Sequence, residues 1–199
     1  MGPPVAVGGD LEGAKALAPL VLASTSPQRR AILEQLGISF VVVPPDYEEV
    51  GDDPVEHAAG KARSVDGDDR IVLGVDTDVF VDGQRLGKPG SADDARHMLA
   101  RLAGRTHEVV CGLCLRGLEW EELHRVVTEV SFRPLAPEEI ERYVATGEWQ
   151  GRAGAYAIQG LGATLVERID GDYLNVVGLP AALLVRLLAE RFPGSFPRG

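Results

Sequence analysis

Three groups of residues in this 199-residue chain have the types and spacing that chemistry needs. The first lies in LASTSPQRRAIL, where hydroxyls at Ser24, Thr25 and Ser26 precede guanidinium groups at Arg29 and Arg30. A strand-to-helix junction of this kind offers free backbone N–H groups, hydroxyls and positive charge, the ingredients of an oxyanion or phosphate site. The same letters also describe a plain helix start, with Ser26 as N-cap and Pro27 at the first helical position. Both readings stay open on this stretch alone.

The second group is acidic. Glu48 and Glu49 sit in PPDYEEV, and Asp76 follows an apolar run and Gly74 in VLGVDTDV, where a strand can aim a carboxylate into a cleft. Carboxylates from separate segments suit a hard divalent cation, while a solvated loop is the alternative for the glutamates. Asp78 competes with Asp76, being two residues on and on the same strand face. The third group is Lys61, Lys88 in RLGKPG and Gln159 in YAIQGLG, cations and an amide able to meet phosphate or a base edge. GKP lacks the spacing and the trailing hydroxyl of a phosphate-binding P-loop. Cys111 and Cys114 are three apart in what reads as a strand, so they face opposite sides and chelate nothing together.

The elements that must position these groups alternate. PLVLAS reads as a buried strand leading into a helix that Gly37 closes; ISFVVVPP reads as a second strand. An acidic loop then enters a helix from Pro54 to about Val65, and RIVLGVDTDVFVDGQRL reads as a strand and hairpin turning at Asp82-Gly83. A helix capped by Ser91, two paired strands in THEVVCGLCLRG and HRVVTEVSFRPL, and a helix in APEEIERYVATG follow. The last third predicts two strands around Asp170-Gly171 and a closing amphipathic helix in AALLVRLLAERF. Helices alternating with strands and hairpins give an α/β class with a mixed sheet.

Composition narrows the function. The net charge of −10 leaves no diffuse positive field for a polyanion, so no nucleic acid and no anionic membrane is expected as a partner. No apolar run is long enough to span a bilayer, and MGPPVAVGGD lacks the pattern of a signal peptide, so a cytoplasmic protein is expected. Residues 1–18 read as a flexible extension, 19–192 as a single domain and 193–199 as a tail.

Taken in order, LASTSPQRRAIL, the EE pair before a lysine helix, GVDT, LGKP, LAGRTHEV, AGAYAIQGLGA and IDGDYLNVVGLP resemble the Maf family of nucleoside triphosphate pyrophosphatases. The resemblance covers roughly residues 20 to 190. It implies hydrolysis between the α and β phosphates with a divalent cation, Mg²⁺ or Mn²⁺, as house-cleaning of non-standard nucleotides. The implied fold is an elongated, mixed-sheet α/β structure of the Maf and inosine-triphosphatase type, its nucleotide cleft between two lobes; a homodimer is implied as well. Carried over motif by motif, Asp76 matches the catalytic base. Ser24, Ser26, Arg29, Lys61, Thr77, Lys88 and Gln159 match substrate-binding positions, and Glu49 with Asp76 matches the metal site. Thr77 and Gln159 resemble the branch acting on dTTP and UTP rather than the one acting on 7-methyl-GTP. Two departures stand out: Gln28 replaces the first arginine of the opening motif, and the stretch from Glu49 to Lys61 is shorter than in many members. The alternatives are the other role associated with the family, a non-catalytic nucleotide-binding regulator of septum formation, and a pyrophosphatase with 7-methyl-GTP-type specificity.

Overall fold

The computed structural model describes residues 18–193. Residues 1–17 and 194–199, which hold nearly all of the expected extension and tail, lie outside the described residues. In chain order the elements are β1 (Leu20–Ala23), α1 (Pro27–Gln35), β2 (Phe40–Val42), α2 (Pro54–Arg63), β3 (Val72–Val81) and β4 (Gln84–Leu86). They continue as α3 (Ala92–Leu102), β5 (Thr106–Arg116), β6 (Glu121–Phe132), α4 (Pro137–Ala145), β7 (Val166–Asp170), α5 (Tyr173–Val177) and α6 (Ala181–Arg191). Two short 3₁₀ turns, Ala153–Ala155 and Leu161–Leu165, lie between α4 and β7. Among the described residues no helix is long and apolar enough to cross a membrane.

Among the described residues one sheet of seven strands runs β2-β1-β3-β5-β6-β7, with β4 also on β3. β1 is parallel to β2 and β3, and every other pairing is antiparallel, so the sheet is mixed as expected. β3 is the pivotal strand. One edge pairs with β5 along most of its length; the other is shared, β1 taking Val72, Leu73 and Gly74 and β4 taking Val79, Phe80 and Val81. Residues 75–78 therefore face a split in the sheet, just beyond the carboxyl end of β1. Such crevices are where open α/β sheets bind ligands.

Apolar side chains form three clusters. Leu22, Leu33, Leu73, Leu113, Leu184 and Leu188 join α1 and α6 to one sheet face; Val21, Ala58, Ala62 and Cys114 join α2 to the opposite face. Val79, Leu99, Val130, Phe132 and Ile140 join α3 and α4 to the other half of the long strands. Each fully buried leucine stabilises the fold by about 1.5–3 kcal/mol relative to exposure. β3, β5 and β6 run through both halves, and the split lies between them, which gives the two-lobed form. Cys111 and Cys114 face opposite sides, as the strand period demands; burial pushes their thiols up to about 11 and about 12.

Two glycines set how closely α2 lies on the sheet. A Cβ at Gly74 would fall 2.1 Å from the Ala58 carbonyl oxygen, and one at Gly112 would fall 2.0 Å from that of Pro54. Gly112 is the cross-strand partner of Asp76, so the space its missing side chain leaves brings α2 to the side of that aspartate.

Two expectations need correction. The strand expected over ISFVVVPP is only three residues long, Phe40–Val42, because it pairs with β1 alone and the prolines end it. The second strand expected after Asp170-Gly171 is instead the short helix α5. Asp172 accepts the Leu174 N–H at 2.8 Å as its N-cap, and Asn175 donates inward to the Val109 carbonyl at 3.1 Å, a tertiary bond no local pattern announces. The hairpin at Asp82-Gly83 is present, with φ of 52° and 72° matching the turn that suits twisted strands.

Candidate active site

The start of α1 answers the question raised by its arginines. The helix is capped as expected: Ser26 Oγ accepts the Arg29 N–H and donates to Gln28 Oε1. Helical rotation then separates the two arginines, Arg29 turning inward to 9% exposure and Arg30 outward. The Arg29 guanidinium donates to the Gly178 carbonyl at 2.9 Å, to Ser24 Oγ at 2.9 Å and to Thr77 Oγ1 at 3.2 Å. All three acceptors are neutral, and among the described residues no carboxylate lies within ion-pair distance of it. A buried guanidinium with no carboxylate in direct contact is costly unless an anion completes it.

Asp76 is fixed from α2. Lys61 and His57 are four residues apart and so share one face of that helix. Lys61 Nζ sits 2.5 Å from Asp76 Oδ1 and 2.6 Å from Glu49 Oε1, bridging the two carboxylates. The fully buried His57 places Nδ1 3.4 Å from Asp76 Oδ2 and Nε2 3.3 Å from the Val50 carbonyl oxygen, behind the carboxylate. Burial alone would raise the Asp76 carboxyl. Lys61 outweighs it, helped by Arg29 and His57, and holds the group below the ordinary carboxylate value. The same balance of burial against Lys61 keeps Glu49 low.

Asp78 shares the strand face but has the opposite fate. Arg85, its diagonal neighbour on β4, reaches it with Nε at 2.7 Å; Arg85 also reaches Asp52 at 3.1 Å and Glu49 at 3.8 Å. Burial and the nearby Asp76 charge together raise the Asp78 carboxyl despite Arg85. Asp78 does not line the cleft, whereas Asp76 does.

The cleft at the split in the sheet measures about 450 Å³. It brings together Ser24, Ser26, Arg29, Glu49, Lys61, Asp76, Thr77, Lys88 and Gln159, so every residue singled out as a substrate or metal position lies on one concave surface. Glu48 and Arg30 are exposed and stand outside it. Thr77 spends its hydroxyl on Arg29 and contacts the Gly178 carbonyl at 3.4 Å, so it steadies the guanidinium. Lys88 and Gln159 are exposed on the far wall, beside Tyr156 and Ile158.

His57, Arg85 and Arg152 were not singled out from the sequence. For His57 the local signal was its four-residue spacing from Lys61, and for Arg85 the hairpin register, which sets it opposite Phe80 and diagonal to Asp78; Arg152 lines the cleft from a loop that carries no such pattern. Glu49, His57 and Asp76 each offer a ligand atom, all within 4.8 Å of one another. The two carboxylates fit a divalent cation, because they already converge on one positive point, the Lys61 ammonium.

A family model described as Maf-like protein matches residues 19–191. Curated relatives include a dTTP/UTP pyrophosphatase of Symbiobacterium thermophilum, 47% identical over 86% of this chain and 93% of the relative. A protein of the same name from Nitratidesulfovibrio vulgaris is 49% identical over 87% and 88%. A third, from Syntrophomonas wolfei subsp. wolfei, is 42% identical over 85% and 96%.

Proposed function

The chain belongs to the Maf family, and from that premise we propose that it hydrolyses the α–β phosphoanhydride of dTTP and UTP to the monophosphate and pyrophosphate. The observation that carries the reading is the pairing, in one cleft, of a buried Arg29 that touches only neutral acceptors with an ionised Asp76. A triphosphate supplies the anion that Arg29 lacks, and a hydrolase needs a carboxylate able to hold water near the reacting phosphorus.

In this reading Arg29, Ser24 and Lys88 grip the phosphate chain and stabilise charge that develops on the leaving pyrophosphate. Asp76, kept acidic by Lys61, is a weak base in the ground state. Its contribution is to orient the attacking water by hydrogen bond and to accept its proton as the bond forms. Glu49 and Asp76 are the residues that would hold a divalent ion, Mg²⁺ or Mn²⁺, which when bound neutralises charge on the triphosphate. Gln159 offers an amide to the O4 acceptor and N3–H donor of uracil or thymine. A cytoplasmic location and a homodimer belong to the same reading.

The test is a panel of dTTP, UTP, CTP, GTP, ATP and 7-methyl-GTP with Mg²⁺ or Mn²⁺, scored separately for pyrophosphate and orthophosphate. Pyrophosphate from dTTP and UTP is expected. Orthophosphate as the first product would sink the reaction assignment, and tight binding without turnover would restore the non-catalytic regulator. The name shared by the relatives and the ionised carboxylate in the cleft weigh against that regulator.

A further inference from the structure

Gln159 is exposed at the lip of the cleft, followed by Gly160 at φ +96°, an unusual platform for a residue asked to recognise a base. What holds the platform is a side chain outside the cleft. Glu148, in the loop after α4, accepts the Leu161 N–H with Oε1 and the Gly162 N–H with Oε2, both at 3.1 Å. These two N–H groups open the 3₁₀ turn Leu161–Leu165, where no backbone acceptor precedes them. A Cβ at Gly160 would lie 2.9 Å from Glu148 Oε1, so the carboxylate occupies the space over the turn. Glu148 is anchored in turn by its own N–H, which donates to Thr146 Oγ1 at 3.2 Å.

We propose that Glu148 is a positioning residue for base selection, holding the turn that presents Gln159 to the pyrimidine. The proposal rests on the reading that Gln159 meets the base. A primary amide can pair with uracil, and by turning over it can pair with cytosine. Discrimination therefore requires the amide to be delivered to one place in one orientation, and an ionised acceptor of two backbone bonds is a stiff way to do it. Losing that clamp should cost selectivity between bases, which a general brace of the lobe would not affect.

The experiment compares kcat and KM for UTP and CTP in the full-length wild type, Glu148→Ala, Glu148→Gln, Gln159→Ala and the Glu148→Ala/Gln159→Ala double variant. Glu148→Ala is expected to raise KM for UTP about 5- to 10-fold, hold kcat within about threefold, and shrink the UTP:CTP preference at least about fivefold. Glu148→Gln keeps one acceptor and should fall between. The double variant should match Gln159→Ala within about twofold, because residues acting through one another are not additive. An unchanged UTP:CTP preference in Glu148→Ala, or a double variant that multiplies the two single losses, would overturn the proposal. If Glu148→Ala fails to fold, the same criteria apply to Glu148→Gln. Should the wild type turn over neither nucleotide, the pyrophosphatase reading fails by itself. Calorimetric UTP and CTP binding to wild type and Glu148→Gln then decides the role of Glu148: a lost preference supports it, a retained one rejects it.

Discussion

The two walls of the cleft are built in different ways. One wall comes from regular elements: the end of β1, the first turn of α1, the inner face of α2 and the middle of β3. Its inner groups Ser24, Arg29, Lys61 and Asp76 are buried, Thr77 is half-buried and the exposed Glu49 reaches in from the loop before α2; they hold one another, Arg29 on Ser24 and Thr77, Lys61 on Asp76 and Glu49. The other wall is a run of loops and 3₁₀ turns between α4 and β7, joined by Lys88 from the loop after β4. Its working groups are exposed, and it is held from behind: Tyr143 Oη accepts the Ala157 N–H at 2.9 Å, Glu148 takes the next turn, and Gly154 donates to the Gly87 carbonyl at 3.2 Å. The lesson is a division of labour. The charges that are buried, Arg29, Lys61 and Asp76, sit on helices and a strand that hold their partners in place, whereas the exposed groups Glu49, Lys88 and Gln159 sit on loops.

The comparison breaks first if the rigid wall proves dispensable. Asp76→Asn should cut kcat roughly 10²- to 10⁴-fold while nucleotide affinity is kept, measured by steady-state turnover alongside calorimetry. Near-normal kcat would remove Asp76 from the centre of the reaction.

Lys61→Met should cost about 10²-fold in kcat/KM and should also displace the acid limb of the pH profile. With the ammonium gone, burial becomes the dominant influence on Asp76, so its pKa should rise above the ordinary 3.8 instead of lying below it. The active, ionised form is then lost at a higher pH as acid is added. An acid limb that stays where it was would mean that Lys61 does not govern Asp76.

A smaller effect is expected on the loop wall. Gln159→Ala should lower kcat/KM for UTP about tenfold, mostly through KM, since it removes contact with a part of the substrate that does not react. A loss confined to kcat would place Gln159 in the chemistry and blur the division between walls.

The smallest effect on turnover is expected behind that wall. His107 is buried against Phe132 and Tyr156, its Nε2 2.9 Å from the Tyr156 hydroxyl, and burial pushes its pKa from 6.5 down to about 4. The folded state thus stays unprotonated where the unfolded chain takes a proton. Stability is full above about pH 6.5 and falls as pH drops toward 4, by up to about 3 kcal/mol at about 1.4 kcal/mol per pH unit. Melting curves between pH 7 and 4.5 should show the decline, and His107→Phe should flatten it. An unchanged decline in that variant would assign it to the carboxylates instead. Asp76 contributes in the same direction, since its depressed pKa supports folding above the unfolded value and is lost in acid.

Much of this was legible before any coordinates. The capped start of α1, the hairpin at Asp82-Gly83 and the opposed faces of Cys111 and Cys114 all follow from local rules, and the structure agrees with each. The helix α5 was not legible, because the choice between strand and helix after Gly171 was made by Asn175 bonding to Val109, 66 residues away. His57 escaped for a related reason: a lone histidine on a helix says little until the carboxylate it faces is known.

By itself, the sequence determined the class of the fold and the order of most of its elements, since these depend on periodicity and capping, and the family its motifs resemble marked a set of candidate site residues. Only the tertiary structure decided how the members of that set share one cleft. Arg29 and Arg30 are adjacent in the chain and Asp76 and Asp78 share a strand face, yet each pair divides into a cleft residue and one outside it. Helical rotation divides the arginines, but that the inward direction is the cleft is settled by Thr77 and Gly178. The aspartates divide because Gly112 admits α2, with its lysine, beside one, while the β4 arginine closes over the other. Such choices depend on contacts between residues distant in sequence, which no short-range pattern can encode.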